Sequence, residues 1–372
     1  MRIGIDGNEA NVRNRVGVGQ FALHLLRSLH AKRGAHQFTV YLKQPPLESM
    51  PPSDETWQYK VFGPTFFWTR FALPIRLFQE SKKPDVFFTP SHYGPLFSPV
   101  PTVVSVMDIA YEFFPTYFGK KDLWQLRFWT KQSLNTASRI LAISQHTKDD
   151  LVKTYSIDPN RVSIAYPGYE DKVFYKRPAE EIEKVKEKYQ IKSPYVLFIG
   201  TLQPRKNLER LIDAFQKLQK NDVTLVIAGK KGWLFDQILT HAKTVGIEKQ
   251  VLFTDFVPEE ELPALLSGAS VFVLPSLYEG FGIPILEAFG CGVPVVCSRV
   301  SSLPEVAGDA ALLFEPTDTD EISAALAKAL YDTNERQRLM SAGEKRIQSF
   351  SWDFTAQQTL RVLEEVGHGN LS

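Results

Sequence analysis

The sequence predicts an α/β protein built from two doubly wound, Rossmann-like domains. Three observations carry that prediction. Short apolar runs alternate with stretches of helical period, the pattern of parallel sheets covered by helices on both faces. The alternation stops once, in a charge-dense segment, and then starts again. The length, 372 residues, exceeds what one hydrophobic core ordinarily encloses.

In the first half, RIGID (2–6) reads as a buried strand. GQFALHLLRSLHAK (19–32) reads as a helix with Phe21, Leu25, Leu26 and Leu29 on one side. FTVYL (38–42), DVFFT (85–89), PTVVSVMD (101–108), RILAIS (139–144) and RVSIAYPG (161–168) follow as strands. SQHTKDDLVKTY (144–155) opens on a serine suited to cap a helix. EDKVFYKRPAEEIEKVKEKYQIKSP (170–194) lacks a core strand and reads as a connector with a solvated helix. The alternation restarts with YVLFIG (195–200), VTLVIAG (223–229), QVLFTDFV (250–257), VFVLPS (271–276), VPVVCS (293–298) and AALLFEP (310–316). NLERLIDAFQKLQK (207–220) sets Leu208, Leu211, Ile212, Phe215 and Leu218 on one helical face, with Asn207 as its cap. FSWDFTAQQTLRVLEEV (350–366) is helical by period.

Hydrophobic residues at 44% and charged residues at 23% are ordinary for a soluble globular chain. A net charge of +1 gives no overall field toward nucleic acid, so no nucleic-acid partner is expected and any anion site is local. Cys291 and Cys297 lie in apolar runs without a second pair to complete a zinc site, and read as buried thiols in a reduced compartment. MRIGIDGNEA has no long apolar stretch, and no window reaches the roughly 18 apolar residues of a membrane span. The expectation is a cytoplasmic protein.

Doubly wound sheets bind ligands beyond the carboxyl ends of their strands, so the loops there hold the candidate residues. GNEANVRNRVGVGQF (7–21) puts Gly17 and Gly19 before a helix, where glycine allows close approach and helix amides are open. The full dinucleotide fingerprint is absent, and a flexible turn fits this feature equally well. GTLQPRKNLERL (200–211) sets Arg205 and Lys206 at a helix start, which suits a phosphate or diphosphate; two solvated charges in a turn are the alternative. Walker A spacing is missing.

PSLYEGFGIPILEAFGCGVPVV (275–296) is the richest stretch. Gly280 and Gly282 permit close approach, and Pro284 fits a first helical turn. A helix through PILEAF carries Glu287 and leaves Glu279 in the loop, so the two acids reach different parts of a ligand. A carboxylate grips two sugar hydroxyls, while cations and amides, here those near Phe281, Gly282 and Ile283, grip phosphates. Together these suit a nucleotide sugar. A hydrolase acid pair competes, but a hydrolase has no diphosphate to hold. In VMDIAYEFFP (106–115), Asp108 either orients a hydroxyl or caps a turn. In SRVSSLPEVAGDAALLFEP (298–316), Ser301, Ser302 and Glu305 either line the site or close a turn. FFWTRFALPIRLF (66–78) mixes aromatics with Arg70 and Arg76, reading as a contact for a membrane surface or a greasy acceptor, or as an aromatic packing segment, with Pro74 interrupting a clean amphipathic helix.

On these motifs the sequence resembles the retaining glycosyltransferases of family 4, which have the GT-B fold. The resemblance runs from Gly17 and Gly19 through GTLQPRKNLERLIDAF, FVLPSLYEGFGIPILEAFGCGVPVV and SSLPEVAGDAALLFEP to FSWDFTAQQTL. It implies two Rossmann-like domains facing a cleft. Residues 1–170 would serve the acceptor and 171–354 the nucleotide-sugar donor, with the helix of 355–372 packing back on the first domain. It further implies a donor diphosphate at Arg205 and Lys206, ribose hydroxyls at Glu287, and the donor sugar at Glu279 and the amides of Phe281, Gly282 and Ile283. The Gly17–Gly19 loop would lie near the diphosphate and acceptor. Asp108 joins Glu279, Arg205 and Lys206 among the expected catalytic residues. No divalent metal and no separate cofactor are expected, because cations and helix amides stabilise the leaving diphosphate.

Mannosyltransferases are frequent among the nearest motif neighbours, so GDP-mannose is the expected donor, with glucose or rhamnose transfer next. The expected acceptor is a glycan or lipid-linked glycan of surface polysaccharide, met in the cytoplasm or at the inner face of the membrane. Three positions depart from the family pattern. Met107 stands where many relatives have histidine, Thr201 where many have arginine, and Asp255 where many have glycine. Methionine neither titrates nor bonds strongly, which keeps a catalytically impaired nucleotide-sugar-binding module as a second reading.

Overall fold

The computed structural model describes residues 1–15, 17–192, 194–219, 222–230, 232 and 235–369. Two compact units emerge, Met1–Gly168 together with Ser351–Ser372, and Tyr169–Phe350. These boundaries lie a few residues from the expected 170 and 354. Residues 370–372 of the expected terminal segment, and Lys220 of the 207–220 helix, lie outside the described residues.

The first unit holds strands β1 (Arg2–Asp6), β2 (Gln37–Leu42), β3 (Trp57–Val61), β4 (Val86–Thr89), β5 (Thr102–Val106), β6 (Arg139–Ala142) and β7 (Val162–Ile164). They form one parallel sheet in the order β3-β2-β1-β4-β5-β6-β7. Helices α1 (Val18–Lys32), α2 (Leu73–Gln79), α3 (Ala110–Phe113), α4 (Lys120–Thr136) and α5 (Gln145–Tyr155) connect them. The central strands are buried along their whole length, as the continuous apolar runs require of strands covered on both faces. Ser144 caps α5 as expected, its Oγ accepting from the Thr147 N–H at 3.0 Å.

The second unit repeats the plan. β8 (Tyr195–Ile199), β9 (Thr224–Ala228), β10 (Val251–Asp255), β11 (Val271–Leu274), β12 (Val295–Ser298) and β13 (Ala311–Phe314) form a parallel sheet in the order β10-β9-β8-β11-β12-β13. Around it run α6 (Ala179–Tyr189), α7 (Leu208–Lys217), α8 (Phe235–Thr244), α9 (Leu262–Ser267), α10 (Ile283–Gly290), α11 (Leu303–Ala307), α12 (Thr319–Tyr331) and α13 (Thr333–Arg346). α6 buries only Val185, matching the solvated helix read from its charge.

The last helix, α14 (Trp352–Gly367), belongs to the first unit. Ser351 caps it, accepting from the Phe354 N–H at 3.1 Å. The Trp352 ring stacks on His24 at 5.2 Å and meets Phe21 edge-on at 5.7 Å, both on α1. Thr355 donates to the Tyr166 carbonyl, and His36 bonds Glu364 at 2.9 Å.

Three expectations need revision. The edge strand β3, WQYKV, escaped the reading because it alternates apolar and polar residues instead of forming an apolar run. Residues 68–79 are continuously helical, a π-turn over Trp68–Ala72 leading into α2, because Pro74 falls in the first turn of α2 where proline is tolerated. Asn207 precedes α7 with φ 59° and no side-chain cap. No described helix is long and apolar enough to cross a membrane.

Gly168 shows why α14 seats where it does. A β-carbon there would lie 2.1 Å from the Trp352 nitrogen, so only glycine lets the two chain segments approach. Gly168→Ala is expected to cost about 2 kcal/mol or more and to lower Tm, measured by thermal denaturation. An unchanged Tm would show that α14 shifts freely on the first unit.

Candidate functional site

In the second unit the strand order reverses between β8 and β11, the place where doubly wound sheets take ligands. After β8 the chain makes one short turn at Pro204–Lys206. Asn207 then fixes it: its Nδ2 donates to the carbonyls of Pro275 at 3.1 Å and Pro316 at 2.7 Å. The side chain expected to cap a helix instead ties the loops after β8, β11 and β13 together.

This tie brings Arg205 and Lys206 against Glu279. Lys206 Nζ forms a close ion pair with Glu279 Oε1, and the Arg205 guanidinium lies 3.7 Å from Oε2 while donating to the Tyr278 carbonyl at 2.8 Å. Ser276 Oγ donates to Oε1 at 2.6 Å. Burial pushes the Glu279 carboxyl up, but the charges of Lys206 and then Arg205, with hydrogen bonds from Lys206 and Ser276, win and hold it below the usual glutamate value. The carboxylate is ionised and buried, 9% exposed. Two cations against one acid leave the cluster net positive.

The loop after β12 holds the glycine-rich turn. The Glu279 N–H donates to Ser301 Oγ at 2.9 Å, and Ser302 Oγ lies 2.9 Å from the carbonyls of both Glu279 and Phe281. Both serines thus close the turn, one of their two expected roles. Phe281 packs its ring edge-on against Phe350 at 5.7 Å. Gly282 has φ 107°, and a β-carbon there would lie 2.8 Å from Leu303 Cδ2. It opens α10 at Ile283 without a side-chain cap, with Pro284 in the first turn. Glu287 stands in α10 and Glu279 outside it, as the sequence indicated.

Glu287 contrasts with Glu279. It is half-buried, and burial first and the charge of Glu259 second push its carboxyl up to about 8. Asp255, at a bulge in β10, has φ 58°, a left-handed conformation that costs a residue with a β-carbon roughly 1–2 kcal/mol. The glycine expected there from the resemblance fits that backbone.

Gly17, Gly19, Met107 and Asp108 belong to the first unit. Gly17 opens α1 with φ 44° and open space around it, while a β-carbon on Gly19 would come within 3.0 Å of the Glu9 carbonyl. Asp108 caps a turn, its Oδ1 accepting from the Ala110 N–H at 3.0 Å. Met107 is buried, and its carbonyl accepts from Thr147 Oγ1 at 3.3 Å.

Sequence reasoning missed two groups here. His92, in the loop after β4, has a buried Nδ1 without a hydrogen-bond partner among the described residues; burial pushes its pKa down and the charge of Asp108 acts upward. Asp6, at the end of β1, accepts from the Asn8 backbone and side chain at 3.0 and 2.7 Å and from Thr69 Oγ1 at 3.1 Å. Burial pushes its carboxyl up to about 6 despite those bonds. It opens on a small pocket that Lys43, Ser91 and Tyr93 also line. The signal for both was present, since Asp6 ends β1 and His92 follows β4, each at a strand's carboxyl end.

Comparison with known proteins gives a consistent result. A profile of glycosyltransferase family 4 matches residues 16–173, and one of glycosyl transferases group 1 matches residues 180–346. O-antigen chain mannosyltransferase B of Escherichia coli is 30% identical over 364 residues, covering 93% of this chain and 95% of that one. Serotype-specific mannosyltransferase WbdA of Escherichia coli is 34% identical over 246 residues, 64% of this chain and 30% of that longer protein. Among solved structures, sucrose-phosphate synthase from Thermosynechococcus elongatus superposes with a TM-score of 0.77 at 17% identity, covering 99% of both chains. Anabaena Alr3699/HepE in complex with UDP and glucose gives 0.77 at 19% identity, covering 98% of this chain and 100% of that one.

The Glu287 carboxyl gives a pH test. With a folded value near 8 against the ordinary 4.5, the folded state holds a proton that the unfolded chain has released. Its contribution to stability is full below about pH 4.5 and is lost as pH rises through 8. Glu287→Gln should therefore lose less Tm than wild type between pH 5 and 8.5 in thermal melts. Parallel losses would show that Glu287 is already ionised in the fold.

Proposed function

The chain belongs to glycosyltransferase family 4, and we propose that it transfers a hexose, mannose from GDP-mannose, to a glycan or lipid-linked acceptor in surface polysaccharide synthesis. Transfer retains the anomeric configuration, requires no divalent metal, and takes place in the cytoplasm at the inner face of a membrane. The observation that carries the reading is the Arg205–Lys206–Glu279 cluster beside the uncapped start of α10, at the strand-order reversal of the second sheet. The relatives named as mannosyltransferases support the sugar, and the related structure holding UDP and glucose supports a nucleotide-linked donor.

Each residue has a distinct task in this reading. Arg205 and Lys206 take the donor diphosphate, a dianion drawn to a net positive cluster. As the bond from the anomeric carbon to the diphosphate breaks, charge grows on the leaving oxygens, and the two cations and the first amides of α10 stabilise it. Glu279 and the amides of Phe281, Gly282 and Ile283 hold the sugar. The ion pairs of Glu279 keep it an acceptor for hydroxyl protons rather than a proton donor. Glu287 takes the ribose hydroxyls, and their donation would favour its ionised form. The acceptor hydroxyl attacks on the face the diphosphate leaves, and its proton passes to an oxygen of the departing diphosphate. Gly17 and Gly19 leave room for a ligand at the start of α1, and Asp108 keeps the turn after β5 in place.

A panel of nucleotide sugars separates this reading from its rivals. GDP-mannose should raise Tm and release GDP when acceptor is present. Stabilisation by a donor without turnover would instead mark an impaired binding module, for which Met107 is the reason. Indifference to every nucleotide sugar would sink the proposal. Glu279→Ala should raise KM and lower kcat for the sugar donor about 10-fold or more while GDP affinity changes less. Equal losses for GDP and GDP-mannose would contradict the division of roles.

A further inference from the structure

We infer that Asp255 is the residue by which the second unit selects guanine, its carboxylate accepting from the N1–H and the 2-amino group of the base. The inference rests on the donor reading above and extends it from the diphosphate and the ribose to the base.

Asp255 stands at the carboxyl end of β10 and is exposed. Its backbone is left-handed, φ 58°, at a bulge in the pairing with β9. Glycine adopts that conformation freely, whereas a residue with a β-carbon adopts it at a cost. The Asp255 side chain is not buried, so no core packing offsets that cost. An exposed residue held in a sparsely populated backbone region points to function. Here the β-carbon carries two acceptor oxygens.

The loops after β8, β9 and β10 are tied in series. The Leu202 N–H donates to the Lys230 carbonyl at 2.9 Å, and the Gly229 N–H donates to the Asp255 carbonyl at 2.9 Å. Leu202 leads into the Pro204–Lys206 turn, which the donor reading gives to the diphosphate. A β-carbon on Gly229 would fall 1.9 Å from the Gly200 carbonyl oxygen, so glycine is what lets the ends of β8 and β9 come this close. On the other side, α9 follows the β10 loop and packs against α10, the helix that carries Glu287. Glu259, further along the same loop, is near enough for its charge to act on the Glu287 carboxyl. A nucleotide with its diphosphate at Arg205 and Lys206 and its ribose at Glu287 has this loop within reach of its base.

The loop's chemistry distinguishes the bases. Phe256, beside Asp255, is 56% exposed and offers an aromatic face. The Lys230 ammonium lies 4.8 Å from its ring centre. Guanine presents two adjacent donors, N1–H and the 2-amino group, beside the O6 and N7 acceptors. One carboxylate takes both donors side by side, and an ammonium suits O6. Uracil sets its one ring N–H between two carbonyls, which repel a carboxylate. Adenine sets its amino group beside a bare ring nitrogen. Neither satisfies both oxygens of Asp255.

Titration calorimetry with free nucleoside diphosphates tests the assignment. Wild type should bind GDP, and inosine diphosphate, which lacks only the 2-amino group, should bind about 10-fold or more weakly. UDP and ADP should also bind more weakly than GDP. Asp255→Asn suits the same backbone, but its amide donates where the carboxylate accepted. It should weaken GDP about 10-fold or more and bind xanthosine diphosphate, which has a carbonyl at the 2-position, better than GDP. Asp255→Gly should bring GDP and inosine diphosphate to within about twofold of each other, with Tm unchanged or higher because glycine fits the left-handed backbone. Three results would overturn the assignment and leave the donor site standing: equal wild-type affinity for GDP and inosine diphosphate, a wild-type preference for UDP or ADP, or an Asp255→Asn variant that still prefers GDP to xanthosine diphosphate. Absence of binding by every nucleoside diphosphate would strike the donor reading itself, and the assignment with it.

Discussion

A carboxylate taken out of water must be paired or protonated, and Glu279 is paired. Its two partners come from the turn after β8, its third from Ser276 after β11, and its backbone is held by Ser301 after β12. Removing one member of a buried ion pair typically costs 3–5 kcal/mol, because the remaining charge is stranded. The cluster therefore fixes three loops relative to one another at the carboxyl end of the second sheet. Asn207 reinforces it with two bonds to carbonyls of neighbouring loops. The short turn at 204–206, the left-handed Asn207 and the left-handed Gly282 are backbone conformations that follow from closing this network.

The two glutamates of the EGFGIPILE stretch illustrate how environment assigns chemistry. They are eight positions apart, yet one is held ionised by adjacent cations and the other is driven toward the neutral form by burial and Glu259. Such divergence is also what an acid–base pair shows. The difference here is that the ionised member is held by Lys206 and Arg205 as an acceptor, not as a proton donor. Glu287, in α10, is the member that burial drives toward the neutral form.

Much of this was legible beforehand because parallel strands buried on both faces are written as unbroken apolar runs. Strands such as VFFT, TVVSV and VFVL could hardly be read otherwise. WQYKV was lost because an edge strand meets water and keeps polar residues. The positions of Arg205, Lys206, Glu279 and Glu287 in loop or helix were also legible, from glycine and proline placement. Their partnership was not. The Lys206–Glu279 pair spans 73 positions, and only the sheet order brings β8 beside β11. The same holds for Asn207, whose side chain looked like a local cap and instead reaches residues 68 and 109 positions away. His92 and Asp108 likewise become neighbours only because β4 pairs with β5.

The first unit obeys the same topological rule with different chemistry. Its strand order reverses between β1 and β4, and Asp6 at the end of β1 lies there, with Ser91 and Tyr93 after β4 lining the same pocket. Among the described residues no Lys or Arg forms an ion pair with Asp6; its partners are Asn8 and Thr69, which donate hydrogen bonds but carry no charge. Burial then outweighs them and the carboxyl rises to about 6, where Lys206 and Arg205 keep Glu279 low. That pocket also holds Lys43 and Glu9, so charges of both signs face it, whereas the second unit's cluster of two cations and one acid is net positive and suited to anions. Two sheets of the same winding thus carry different charge at their reversal points, and in the second unit the excess cations come from the turn that follows its first strand.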